Sequence, residues 1–146
     1  KGGLFWTQPD EIQRFDAMAT AGTAEAVMTI ETGKPGKEAV KTFDNLYDES
    51  YLEKKDQYSY FLSGNNPVTV IDTGLENGRT MLLIKDSYAH CFVPFLTAHY
   101  QRIICVDLRY YKEGLGRFFE ENEITDLMVL YNIIQLSNDR NLYYLK

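Results

Sequence analysis

Ser87 is the residue whose type and position best fit covalent chemistry in this sequence. It follows the apolar run TMLLI at 80–84, with Lys85 and Asp86 between, and a helical spacing of apolar residues begins there. A hydroxyl at the start of a helix lies near unpaired backbone N–H groups and the positive end of the helix dipole. Because such groups stabilise the oxyanion of acyl transfer, we predict that Ser87 is a nucleophile. Serine is also a preferred helix cap, and on the residues alone capping is the favoured interpretation.

A serine hydroxyl is a weak nucleophile without an adjacent base, and the neighbouring sequence offers no convincing one. His90 lies three residues later, where a helical side chain points away from the cap, so we expect it to be solvated or partly packed. His99 falls in the last turn of the predicted helix, where an imidazolium complements the dipole, and we assign it no catalytic role. Asp86 could orient a base, but we expect it to cap the helix or pair with Lys85.

The loop Ser-Gly-Asn-Asn-Pro at 63–67 is the second candidate. Asparagine N–H groups can point at an oxyanion, and a glycine lets a substrate approach the backbone. Gly64 and Asn65 are therefore the predicted oxyanion-binding or substrate-binding residues, although an ordinary Asn-Pro turn is the favoured interpretation of the loop itself. The 11 tyrosines suit sugar faces, although a half-buried sheet edge is the favoured interpretation.

The elements that must position these residues are regular after Gly64. Periodicity predicts strands at 68–71, 80–84, 102–108 and 126–133, and helices at 87–100 and 114–122. We expect a kink at Pro94, a hairpin at Asn77-Gly78 and a central position for the last strand. The alternation predicts an α/β domain with parallel strands and right-handed crossovers. Ligands of such sheets bind beyond the carboxyl ends of the strands, here at 85–87, 107–109 and Asn132.

The first part of the chain has a weaker pattern. A loop is predicted at 4–9, a strand or turn at 10–15 and a strand at 25–32. A turn follows at 33–36, then a short helix or extended chain at 37–47 and a helical turn at 52–57. We treat residues 1–146 as a single domain, with 1–55 irregular and 56–146 forming the α/β core.

Composition excludes several classes of function. The 146 residues suit one domain, and the net charge of −6 opposes phosphate backbones, so nucleic acid is not expected as a partner. Cys91 and Cys105 lack metal-ligand spacing and lie in apolar runs, so we expect two buried thiols and neither a metal site nor a disulfide. No run reaches the length of a membrane span. No glycine-rich phosphate loop follows a strand, which argues against a flavodoxin-like cofactor binder, and we expect no cofactor.

Residues 85–111, KDSYAHCFVPFLTAHYQRIICVDLRYY, resemble the C-terminal region of the DHHW-type proteins. This bacterial extracytoplasmic family is related to SGNH hydrolase-like O-acetyltransferases that modify cell-surface polysaccharides. Residues 56–67 are similar to the family's KYSVFLGGNHP, and 127–132 to its LVLYN strand. Residues 4–6 and 10–12 are similar to the segment after its signature motif. The resemblance is specific in 56–67 and 80–133 and loose from 16 to 50.

The resemblance implies a three-layer SGNH- or flavodoxin-like fold, with a mostly parallel sheet, helices on both faces, and a sheet incomplete in this chain. Ser87 matches the family's nucleophile. The matching Asp-x-His motif is absent from this sequence, so we expect it upstream and take the chain, which lacks an initiator Met, as an excised piece. Asn66 replaces the usual His of GNHP, while Gly64 and Asn65 are retained. His90 stands where the family has Asn and is not the base.

Two functions of different classes follow. The first is the C-terminal part of an SGNH-like acyl-transfer protein, an O-acetyltransferase or esterase on cell-surface glycans. There Ser87 is acylated, its backbone N–H and Asn65 hold the oxyanion, and the 146 residues alone are inactive. The second is a non-catalytic cell-surface or glycan-binding protein that keeps the fold. The resemblance implies a polysaccharide or acyl donor as partner and an extracytoplasmic location, and an open sheet edge would favour a homodimer.

Overall fold

The computed structural model describes residues 11, 13–14, 26–32 and 39–145. The loop predicted at 4–9 and the turn predicted at 33–36 lie outside the described residues. The segment predicted as a strand or turn at 10–15 is described only at residues 11, 13 and 14.

The described strands form one six-stranded sheet in the spatial order β2-β1-β3-β5-β4-β6. They are β1 (Val27–Thr32), β2 (Ala39–Phe43), β3 (Val68–Asp72), β4 (Thr80–Lys85), β5 (Arg102–Val106) and β6 (Asp126–Leu130). The strands β4, β5 and β6 are parallel, whereas β2, β1, β3 and β5 pair in antiparallel fashion along the rest of the sheet. The α/β class and the predicted parallel strands are confirmed, and the sheet as a whole is mixed.

Helical elements cover both faces of this sheet. They are α1 (Val93–Leu96), α2 (Gly116–Glu121) and α3 (Ile133–Asn138), with 3-10 turns at Glu49–Tyr51, Gln57–Tyr60, Ser87–Ala89 and Asn141–Leu145. Successive residues of β4 point to opposite faces. Leu83 packs in a cluster with Val93 of α1, and Leu82 packs in a second cluster with Phe118 of α2. Burial on both faces accounts for the continuous apolar run of β4. Within the described residues, no helix has the length and apolar character needed to cross a membrane.

The predicted hairpin at Asn77-Gly78 is wrong. β3 and β4 are not neighbours, because β5 lies between them. The loop is instead tied to the chain that enters β5: Asn77 Nδ2 donates to His99 O at 3.0 Å and Gly78 N donates to Gln101 Oε1 at 2.9 Å. An Asn-Gly pair favours a left-handed turn, which Gly78 adopts at φ 67°, but it does not determine which strands pair.

The single helix predicted at 87–100 is also wrong. A 3-10 turn spans Ser87–Ala89, and α1 contains only Val93–Leu96. Pro94 lies in the first turn of α1, where its missing N–H removes no helical hydrogen bond. The proline therefore begins a helix where we predicted that it would kink one.

The strand β6, predicted to be central, lies at the edge of the sheet. Met128 and Leu130 pack against one apolar cluster, while Leu127 and Val129 are 56% and 50% exposed. The apolar residues of β6 predict a strand that is paired at both of its edges. An apolar run does not show how many neighbours a strand has, which explains why the predicted central position is wrong. The outer edge of β6 pairs with no described strand, and a homodimer through a sheet edge stays a prediction.

The described part of residues 1–55 is more regular than expected. The strand predicted at 25–32 is confirmed as β1, and the extended alternative for 37–47 is confirmed by β2. Both belong to the same sheet as the predicted core. A helical turn is predicted at 52–57. Most of these residues lie between two 3-10 turns, Glu49–Tyr51 and Gln57–Tyr60.

Candidate functional site

The two predicted site segments meet at one edge of the sheet. Val106 of β5 pairs with Ile84 of parallel β4 and with Val68 of antiparallel β3. Residues that follow β4, including Ser87, therefore lie at the same edge as residues that precede β3, including Asn65. Sequence reasoning predicted this edge correctly, since it depends only on strand direction.

Ser87 begins its 3-10 turn but does not cap it. Asp86 is the capping residue, and its carboxylate accepts a hydrogen bond from Tyr88 N at 2.9 Å. The interpretation of Ser87 as the cap is therefore wrong, and the predicted capping role of Asp86 is confirmed. Ser87 is partly buried, and its hydroxyl forms no hydrogen bond with any residue that the structure describes. That hydroxyl remains available to a substrate or a base.

Asp86 also fixes the neighbouring strand end. Its side chain is fully buried, and Oδ2 accepts a hydrogen bond from Asn132 N at 2.9 Å. The Asn132 side chain in turn caps α3, accepting from Ile134 N at 2.9 Å. Asn132 thus lies at the predicted edge of the sheet, but its side-chain oxygen is used to cap α3.

Lys85 and His90, which flank Ser87 in the sequence, form a buried pair. Each is 1% exposed, and Lys85 Nζ lies 2.8 Å from His90 Nε2. Burial lowers the pKa of Lys85. In its ammonium form Lys85 only donates, which assigns the acceptor role to Nε2 and the ring proton to Nδ1, an atom with no partner among the described residues. Burial, followed by the charge of Lys85, lowers the pKa of His90 to about 3. His90 is therefore engaged and a poor proton acceptor, in agreement with its exclusion as the base.

The prediction that His90 is solvated or partly packed is wrong, because Tyr58 covers the ring. The two rings stack with centroids 5.9 Å apart. The Tyr58 hydroxyl donates to Tyr88 O at 3.3 Å and accepts from Cys91 N at 3.4 Å. Tyr58 thus joins the segment before the Gly64 loop to the turn that carries Ser87.

Cys91 is exposed and Cys105 is buried, so the prediction of two buried thiols holds only for Cys105.

Acid should destabilise the fold through His90. Its folded pKa of about 3 lies below the unfolded value of 6.5, so the unfolded chain binds the proton more tightly. The contribution of His90 is present above pH 6.5 and is lost as the pH falls toward 3, with a slope of about 1.4 kcal/mol per pH unit between them. We expect His90→Gln, which keeps an acceptor for Lys85, to flatten the pH dependence of denaturant unfolding between pH 7 and pH 4. An unchanged slope would contradict the neutral, buried imidazole.

The loop before β3 has three consecutive residues in the left-handed region. The φ angles are 56° at Leu62, 53° at Ser63 and 85° at Gly64. A bulky residue rarely adopts this conformation, so neighbouring contacts must hold it. Asn66 Nδ2 supplies two of them, donating to Leu62 O at 3.0 Å and to Gly64 O at 3.1 Å. Ser63 Oγ adds a third, donating to Asp48 Oδ2 at 3.0 Å. Asn66 replaces the histidine expected from the resemblance, and its side chain stabilises the loop backbone through these hydrogen bonds.

Gly64→Ala should destabilise the protein more than Gly78→Ala. Both positions have a positive φ, which costs a non-glycine residue about 1 kcal/mol or more. A Cβ at Gly64 would lie 3.0 Å from Ser59 Oγ, whereas a Cβ at Gly78 would meet no atom within 4 Å. We expect losses of about 2–3 kcal/mol and about 1 kcal/mol, measured by chemical denaturation. Equal losses would show that the contact with Ser59 is unimportant. A substrate-binding role for Gly64 stays a prediction.

Asp107, Arg109 and Asn65 form a chain of hydrogen bonds from the sheet to this loop. The Asp107 side chain is fully buried and accepts from Arg109 Nε at 2.9 Å and Nη2 at 2.6 Å. Arg109 Nη2 also donates to Asn65 Oδ1 at 3.1 Å. Hydrogen bonding to Asp107 raises the pKa of Arg109 above its ordinary value. Sequence reasoning placed residues 107–109 at this edge but assigned them no role.

Lys85 is a further member of the site that was not predicted from the sequence. Its Nζ lies 3.9 Å from Asp107 Oδ2, so it joins the His90 pair to the Asp107 chain. A lysine that ends a buried apolar run directly before the predicted nucleophile was the available signal. Among the described residues, no group of three His, Cys, Asp or Glu side chains is arranged to hold a metal ion.

No family model and no curated protein match this sequence. Solved structures do match. A DHHW family protein from Eubacterium siraeum has a TM-score of 0.65 and 22% identity, covering 81% of this chain and 39% of that one. Bacillus cereus PatB1 has a TM-score of 0.60 and 23% identity, both with a sulfonyl adduct (80% of this chain, 39% of that one) and without (79% and 38%). This chain spans about two-fifths of their length. It therefore shares a fold with part of a DHHW family protein and of PatB1, as the resemblance implied.

Proposed function

We propose that this chain is the Ser87-bearing part of an SGNH-like acyl-transfer protein, an O-acetyltransferase or esterase acting on cell-surface glycans outside the cytoplasm. The observation that carries the proposal is the free hydroxyl of Ser87 at the carboxyl edge of the parallel strands, with the cap supplied by Asp86. The resemblance of residues 85–111 to DHHW-type proteins and the shared fold support it.

The Ser87 oxygen would attack the acyl carbonyl carbon while a base takes the hydroxyl proton. The resulting oxyanion would be held by the backbone N–H of Ser87 and by Nδ2 of Asn65. Collapse would expel the alcohol of the donor, which recovers the proton, and leave an acyl ester on Ser87. A glycan hydroxyl or water would then attack this ester and free the serine.

The base must come from a histidine other than His90. Lys85 engages the His90 Nε2 atom, and burial followed by the charge of Lys85 lowers the pKa of the ring to about 3, so His90 accepts a proton poorly. The family resemblance implies an upstream Asp-x-His motif as the source of the base. The second candidate, a non-catalytic glycan-binding protein, is favoured by Asn66, which stands where the family has a histidine and donates to the loop backbone at Leu62 O and Gly64 O.

Labelling of the full-length protein with an aryl sulfonyl fluoride tests the proposal. The Ser87 oxygen should bond to sulfur, fluoride should leave, and the base should take the proton. We expect one adduct, mapped by mass spectrometry to the peptide that carries Ser87. Ser87→Ala should abolish the adduct, and Ser137→Ala, a change at an exposed serine, should leave it intact. An adduct that persists in Ser87→Ala would refute Ser87 as nucleophile, and no adduct together with measurable glycan binding would favour the second candidate.

A further inference from the structure

We infer that Arg109 is a positioning residue that orients the Asn65 amide, so that its Nδ2 donor is directed away from the Asp107 pair and is available to the oxyanion. The inference rests on the proposed function of Ser87 and deepens it. It names a residue that acts through Asn65 without touching the reacting atoms.

Hydrogen-bond chemistry determines the orientation of the amide. A guanidinium group carries only donors, so the Asn65 atom 3.1 Å from Arg109 Nη2 must be the oxygen. A half rotation of the amide would place two donors face to face and is therefore disfavoured. The Asn65 Nδ2 group donates to no other residue in the part of the chain that the structure describes. One contact thus selects the rotamer and leaves the donor unused.

Arg109 is itself held firmly enough to select a rotamer. Its Nε and Nη2 atoms bind the two carboxylate oxygens of Asp107, and Arg109 N also donates to Asp107 Oδ1 at 3.1 Å. Asp107 follows β5 directly and has no exposed surface. Fork-like binding of a carboxylate fixes a guanidinium in one plane. One proton of Arg109 Nη2 is donated to Asp107 at the end of β5. The second proton is therefore directed to Asn65 in the loop before β3.

The contact with Asn65 goes beyond what the Asp107–Arg109 pair needs. That pair satisfies both carboxylate oxygens without Asn65, which is exposed on its loop. The hydrogen bond from Arg109 Nη2 to Asn65 Oδ1 therefore holds a surface amide in a fixed position relative to the buried Asp107 carboxylate. Oxyanion donors are effective when they are oriented before the reaction begins, which is the effect this chain of contacts would have.

A double-mutant cycle in the full-length protein tests the inference. The readout is the rate of Ser87 modification by an aryl sulfonyl fluoride, whose transition state also places negative charge on oxygen. We expect Asn65→Ala to slow modification about 100-fold and Arg109→Met about 10-fold. The double variant should be as slow as Asn65→Ala alone, because Arg109 acts only through that side chain. Losses that multiply, or a wild-type rate in Arg109→Met, would overturn the inference.

A readout independent of reactivity separates this inference from the proposed function. In amide NMR spectra of the full-length protein, Arg109→Met should shift the side-chain resonances of Asn65, even if Ser87 proves unreactive. Unchanged Asn65 resonances would overturn the inference while leaving Ser87 untouched. If Arg109→Met does not fold, Arg109→Lys retains the charge beside Asp107 but cannot bind both carboxylate oxygens and Asn65 together, and the same cycle applies. An adduct in Ser87→Ala would instead refute the proposed function.

Discussion

Replacing Ser87 with alanine is expected to reduce ester turnover by the full-length protein at least about 10³-fold, with little change in thermal stability. The loss of turnover follows from removal of the attacking oxygen. Stability should be retained because the Ser87 hydroxyl forms no hydrogen bond with a described residue, and Asp86 supplies the cap. Hydrolysis of a simple acetyl ester and a thermal melt of the same sample measure both quantities.

The combination of the two results distinguishes a catalytic serine from a structural one. A structural serine would lower the melting temperature and change turnover only through unfolding. Turnover by Ser87→Ala within 10-fold of wild type would remove this residue from the mechanism, because a missing nucleophile costs far more. Ser137→Ala is the matched control, and we expect it to leave turnover unchanged.

Replacing Asp107 with asparagine is expected to destabilise the fold by about 3–5 kcal/mol, the largest loss of stability we predict. The Asp107 carboxylate has no exposed surface and lies 2.6 Å from Arg109 Nη2 and 3.9 Å from Lys85 Nζ. A neutral amide would leave two cations near each other without a counter-charge. The free energy of unfolding in urea measures the loss.

Two further variants make this second prediction specific. Asp126→Asn breaks an ion pair with Arg79 whose side chains are 37% and 46% exposed, and it should change stability little. Adding Lys85→Met to Asp107→Asn should recover part of the loss, because the buried ammonium group is then removed. Equal effects of Asp107→Asn and Asp126→Asn would show that burial of the Asp107 pair has no energetic consequence.

The parallel strands and the edge that holds the site could be predicted because they depend on local patterns. The apolar runs of β4 and β5 are buried on both faces, and the direction of parallel strands places Ser87 and Asp107 at one edge. The order of the strands could not be predicted, because β3 reaches β5 through pairing between distant parts of the sequence. The turn at Asn77-Gly78 carries no information on that pairing.

The details of the site were harder to predict than its position. Asp86 and Ser87 are both good capping residues, and their order along the chain does not show which one accepts the N–H bond. The left-handed conformation of Leu62 has no local signal, since leucine disfavours it and only contacts such as that of Asn66 maintain it. The burial of Lys85 depends on His90 and Asp107, whose proximity arises only in the folded sheet.

The distance from Ser87 Oγ to the nearest imidazole nitrogen, in a crystal structure of the full-length protein, tests the central claim most directly. Acyl transfer by Ser87 requires a nitrogen of about 2.6–3.2 Å separation, from a histidine other than His90 or His99. That result would supply the proton acceptor on which the proposed function depends. A Ser87 hydroxyl bonded to its own backbone, with no imidazole within reach, would contradict it.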